Sequence, residues 1–274
     1  MTIVVGGDSF IWGSELADCA IPYNNITNEP ARQVISQSTF TALLARELGQ
    51  QYECVAYPGF ANGAIRRTVM NACEKNSDID LVFVCWSFPS RFEFRFDYDT
   101  GEKWRNWYNI TPWSILDNVE DLKKDFKTDN EIILQNHIDH LERAKRTGTS
   151  DFAKSFYKHI GNSGVWQLWS SYTEIVLLQQ YLTLKNIPYI FTAVDECLLG
   201  NLRHCPDESL KILHSQINLD RWIWFPGNRG FYTWARDEKY PFGTTHPLEL
   251  AHSDAFKHIK ENYSELVSQY YKQN

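Results

Sequence analysis

The chain has 274 residues, 43% hydrophobic and 22% charged, enough to bury a full core in one large α/β unit. Its net charge of −7 argues against a nucleic-acid footprint and suits an uncharged or weakly charged substrate. Six cysteines without CxxC or His/Cys spacing count against zinc, and no apolar run approaches a membrane-spanning length.

Five apolar runs read as strands, at residues 3–6, 54–57, 81–85, 189–194 and 222–225. Helical periodicity fills residues 39–48 and 62–73 between the first three, which implies parallel pairing with right-handed crossovers. A long helix is predicted over 167–184, ended by Asn186-Ile187-Pro188, and a last one from near Pro247 towards Tyr271. Residues 88–127 break the alternation with a dense aromatic and charged insertion. Its rings, Trp104, Trp107, Tyr108 and Trp113 among them, suit a lid over a substrate groove or a partner interface equally well. A second, helical insertion is expected around 128–165. The whole of 1–274 reads as one three-layer α/β/α, flavodoxin-like domain with a mostly parallel sheet of about five strands.

The most informative stretch is IVVGGDSFIWG at residues 3–13. It puts Ser9 where a buried strand hands over to a helix, at the sheet edge where α/β folds build their sites. Backbone N–H groups after such a turn can face a developing oxyanion. The competing reading is that Asp8 and Ser9 only cap the next helix. Near the C-terminus, His246 stands just before Pro247 at a loop–helix junction, a fitting place for a general base. The remaining histidines (His137, His140, His204, His214 and His258) have no partner pattern. The Asn25 and Asn109 sequons need a secretory context, and the chain shows no signal-peptide pattern.

With these blocks in hand, the sequence resembles the SGNH (GDSL-like) hydrolases. Gly7-Asp8-Ser9 with Gly13 matches their first block, Pro58-Gly59-Phe60-Ala61-Asn62 their second, and His246-Pro247 with His252 their last. A closer resemblance is to little-characterised proteins of tailed phages, notably those of cyanobacteria. It is carried by residues 7–12, 58–62, Trp86-Ser87-Phe88-Pro89-Ser90-Arg91 and 246–252. The resemblance implies a serine esterase with Ser9 as nucleophile and His246 as base; it supplies no substrate, and the expected one is a small-molecule or glycan ester. It implies an oxyanion hole of Ser9, Gly59 and Ser87, with Asp8, Asn62, Arg91 and His252 in support, and no cofactor or metal. It also implies a viral protein made in the host cytoplasm, with virion proteins or a second copy as partners and no membrane.

Two residues depart from that pattern. Ser87 stands where the family has an oxyanion-donating Asn, and Gly243 where it has the Asp that steers the catalytic His. Asp237, Glu238, Asp195 or a backbone carbonyl are the substitutes the sequence offers for that Asp. The departures keep a second expectation open, a catalytically weakened phage structural or carbohydrate-binding protein.

Overall fold

In chain order the strands are β1 (Thr2–Gly6), β2 (Ala20–Ile21), β3 (Arg32–Gln33), β4 (Gln51–Cys54), β5 (Ile79–Trp86), β6 (Phe92–Arg95), β7 (Trp107–Ile110) and β8 (Tyr189–Ala193). The helices are α1 (Ser9–Trp12), α2 (Phe40–Glu47), α3 (Asn62–Lys75), α4 (Glu131–Arg146), α5 (Thr149–Phe156), α6 (Gly164–Leu184), α7 (Glu208–His214), α8 (Phe231–Asp237) and α9 (Glu249–Gln273). The structure, a computed structural model, describes residues 1–21, 32–96, 107–116, 120, 121, 124, 131–200, 202 and 207–273. Trp104, His204, Cys205 and the Asn25 sequon fall outside them.

Strands β4, β1, β5 and β8 form the central sheet in that order, all parallel. Taken in sequence, this is the 2-1-3-4 order of a flavodoxin-like α/β fold. The reason lies in the strands themselves. Parallel sheets are covered on both faces, so their inner strands read as near-continuous apolar runs, and β1 and β8 are buried throughout. Side chains then divide by alternation. Ile3, Val5, Leu81, Phe83 and Ile190 face the layer of α2, α8 and α9, whereas Val4, Val82, Val84, Trp86 and Phe191 face α3 and α6. Thr39 caps α2 by accepting from the Ala42 N–H at 3.3 Å.

Two expected strands are corrected. The second lies at Gln51–Cys54 rather than 54–57, because an edge strand tolerates the polar side chains of QYEC, which hide it from an apolar search. The expected strand at 222–225 is reduced to one parallel bridge, Phe191 to Trp222, with the Ile223 N–H donating to the Phe191 carbonyl at 2.8 Å. The sheet therefore has four strands and a rudimentary fifth position.

Within the aromatic insertion, β6 and β7 pair as an antiparallel hairpin. Phe92, Tyr108 and Ile110 pack with Ala153, Phe156 and Tyr157 in a separate small core. The Asn109 side-chain oxygen accepts from the Ala61 N–H at 2.9 Å, which ties the hairpin to the start of α3. Trp113 is 39% exposed and lies under the Arg91 guanidinium, 5.7 Å from its ring centre.

Candidate active site

The carboxyl ends of β1, β4 and β5 lead directly into the segments that carry Ser9, Gly59 and Ser87. After Gly6 the chain turns sharply into α1. Asp8 caps this short helix by accepting from the Phe10 N–H at 3.1 Å, and Ser9 is its first residue. Gly13 closes the helix in the left-handed region at φ +82°, where a side chain is strained. Two residues on, Glu15 also adopts a left-handed backbone at φ +73°. Such a conformation in a residue with a side chain costs of order 1–3 kcal/mol and persists only where its surroundings impose it.

That turn aims Glu15 at the C-terminal loop. Its Oε2 accepts from the backbone N–H of Thr245 at 3.0 Å and of His246 at 2.9 Å, and lies 3.2 Å from His246 Nδ1. Thr245 Oγ1 is 2.9 Å from the same ring nitrogen. On the other side of the ring, His246 Nε2 is 2.8 Å from Ser9 Oγ. With the Nδ1 proton directed to the carboxylate, Nε2 is left to accept the Ser9 hydroxyl proton, a geometry that suits a nucleophile, its base and the residue that orients the base. Ser9 is 7% exposed, and Phe10 packs on the imidazole with ring centres 4.7 Å apart.

The electrostatics agree with this geometry. Burial pushes the Glu15 carboxyl up. The His246 hydrogen bond and charge, with the Thr245 and His246 N–H groups, outweigh it and hold the carboxyl at about 2. Glu15 is therefore ionised across the neutral range. Burial drives His252 the other way, to about 3, so it stays neutral. Its Nδ1 accepts from the Phe40 N–H at 3.3 Å, and its ring stacks on Phe40. His252 thus anchors the start of α2.

None of the acids that the sequence offered as partners of His246 takes that place. Asp237 and Glu238 pair with Arg229, and Asp195 accepts from Thr233 and from the Cys197 N–H. Gly243 has a specific part in the exchange: a Cβ there would stand 2.7 Å from Glu15 Oε2. The missing side chain at 243 is the room the Glu15 carboxylate occupies. Sequence reasoning passed over Glu15, and its signal was faint. It is the first acid after Ser9, in a Gly-Ser-Glu turn, and only the empty position 243 gave reason to look for another carboxylate.

Ser87 departs from the oxyanion role expected of it. Its hydroxyl lies 2.6 Å from Asp8 Oδ2 and accepts from Arg91 Nη1 at 3.1 Å, so its one proton is directed into the protein. Arg91 also pairs with Asp8 at 2.8 Å, and both are buried. Asn62 is equally occupied: its Oδ1 accepts from the Ser87 N–H at 2.8 Å, and its Nδ2 donates to Ser171 Oγ at 3.0 Å and to the Ser87 carbonyl at 3.3 Å. Asp8, Asn62, Ser87 and Arg91 thus form one network that fixes the carboxyl ends of β1 and β5. Gly59 lies in the loop before α3 at φ +81°. Among the described residues the Ser9 and Gly59 N–H groups have no intramolecular acceptor.

Among the described residues no group of three His, Cys, Asp or Glu could hold a metal ion, and no helix is long and apolar enough to cross a membrane. No family model matches the chain, and no curated protein does. A solved structure similar to it is an acetyl xylan esterase from the rumen bacterium Butyrivibrio proteoclasticus, at 11% identity and a TM-score of 0.42. That alignment takes in 97% of this chain and 64% of the esterase.

Proposed function

We propose that the protein is a serine ester hydrolase of the SGNH type, with Ser9 as nucleophile, His246 as general base and Glu15 as the residue that orients the base. The observation that carries this reading is the continuous chain from Ser9 Oγ through His246 to Glu15, 2.8 Å on one side of the ring and 3.2 Å on the other. Ser9 Oγ attacks the ester carbonyl carbon while its proton passes to His246 Nε2. The N–H groups of Ser9 and Gly59 hold the resulting oxyanion. Collapse expels the alcohol, which takes the proton back from Nε2. Water, deprotonated by the same nitrogen, then frees the carboxylic acid and regenerates Ser9. The substrate class is a small-molecule or glycan ester.

The second reading, a phage structural or carbohydrate-binding protein without turnover, draws on the commitment of Ser87 to Asp8. Loss of one oxyanion donor costs on the order of a hundredfold or more. A fluorophosphonate probe together with p-nitrophenyl acetate separates the two. The esterase reading expects covalent labelling and turnover, both lost in Ser9→Ala. Equal turnover by wild type and Ser9→Ala overturns it and leaves the binding reading.

A further inference from the structure

A small pocket lies between the start of α3, strand β6 and the first turns of α6, beside the Asp8–Ser87–Arg91 network. Asn62, Arg91, Glu93, Trp166, Ser170 and Glu174 are among its walls. We propose that it is a subsite for one uncharged sugar ring of the glycan whose ester reaches Ser9. The choice of an acylated glycan rests on the esterase reading. The pocket's own chemistry does not.

Charge sets the class of ligand. Each charged side chain in the wall already has a partner: Arg91 with Asp8 at 2.8 Å, Glu93 with Arg67 at 2.5 Å, and Glu174 with Arg66. The pocket is therefore electrically balanced, which favours neither a metal cation nor an anion. It remains rich in directed polar groups. The buried Arg91 Nε–H has no acceptor among the described residues, and the paired carboxylates keep lone pairs to spare. A hydroxyl both donates and accepts, so a polyol can hydrogen-bond the Ser170 hydroxyl and give a hydrogen bond to Glu174, the more exposed of the two carboxylates.

The rest of the wall is aromatic. Phe92, Phe94 and Phe156 contribute apolar surface. Trp166, 40% exposed, is stacked on Trp169 with ring centres 5.5 Å apart and 13° between planes, so it stands braced at the rim. Hydroxyls beside an apolar ring face are what a pyranose presents, and pockets of this composition orient ligands by a few polar groups on an apolar wall. Arg91 links the pocket wall to Asp8, the residue before the candidate nucleophile.

The test is isothermal titration calorimetry on full-length Ser9→Ala with unacylated xylotetraose, cellotetraose and chitotetraose. Saturable binding of at least one is expected, weakened about tenfold or more by adding Trp166→Ala and less by Trp166→Phe. A thermal melt of Trp166→Ala within about 4 °C of the parent chain reports that it is folded. Absence of saturable binding for all three sugars, or equal binding after Trp166→Ala, overturns the proposal. If Ser9→Ala hydrolyses esters as well as wild type, the esterase reading falls while the calorimetry still decides the subsite.

Discussion

Replacing Glu15 by Gln tests how far the left-handed turn after Ser9 serves catalysis. The change removes the charge and keeps the size. In the native protein the carboxyl sits at about 2 instead of 4.5, which is worth about 3 kcal/mol at ~1.36 kcal/mol per tenfold change in proton affinity. Much of that stabilisation comes from the His246 hydrogen bond and charge; on the proposed mechanism, in which His246 takes the Ser9 proton, most of it is lost from the transition state. The expected fall in kcat is about 10²-fold from this term. It reaches about 10⁴-fold where the amide also turns its N–H₂ toward Nδ1 and stabilises the wrong tautomer. The assay is p-nitrophenyl acetate hydrolysis across pH, with thermal melts to confirm folding. Glu15→Asp, shorter by one methylene, should fall between the two. A folded Glu15→Gln protein with kcat within about twofold of wild type would refute the reasoning, since a purely structural turn leaves the chemical step alone.

Placing an acid at position 243 should harm, because a Cβ there stands 2.7 Å from Glu15 Oε2. Gly243→Ala is expected to lower kcat about tenfold or more through an overpacking strain of ~1–3 kcal/mol, and Gly243→Asp further by repulsion; a faster Gly243→Asp enzyme contradicts this. Arg91→Ala strands the buried Asp8 carboxylate, and urea unfolding should show a loss of about 3–5 kcal/mol; a loss under about 1 kcal/mol would mean the pair holds nothing. His252 is neutral in the fold, with its ordinary value of 6.5 lowered to about 3. Below 6.5 the unfolded chain takes up a proton that the folded one does not. Stability should therefore decline as pH falls from 6.5 towards 3, by on the order of 4 kcal/mol from this group, and Tm measured against pH should flatten over that window in His252→Gln.

What the sequence determined by itself is what neighbouring residues decide. Strands β1, β5 and β8 were legible because strands covered on both faces carry short continuous runs of buried, mostly apolar residues. Ser9 stood out as the residue after a buried strand and Gly-Gly-Asp, and His246 as the one before a helix-starting Pro; in the fold Ser9 Oγ and His246 Nε2 lie 2.8 Å apart. The polar strand β4 was displaced because burial at a sheet edge is partial and its side chains carry little hydrophobic signal. The tertiary structure alone decided the rest. Glu15 reaches Thr245 and His246 across 230 and 231 positions, and no local pattern encodes a carboxylate whose role depends on a distant loop and on an absent side chain at Gly243. Ser87 was legible as a hydroxyl at the right place, but the direction of its proton was set by the buried Asp8–Arg91 pair. Hydrophobic periodicity and cap chemistry act over a few residues and are written in order along the chain. Hydrogen bonds between side chains depend on which segments the packed sheet brings together, and that is fixed only when the chain has folded.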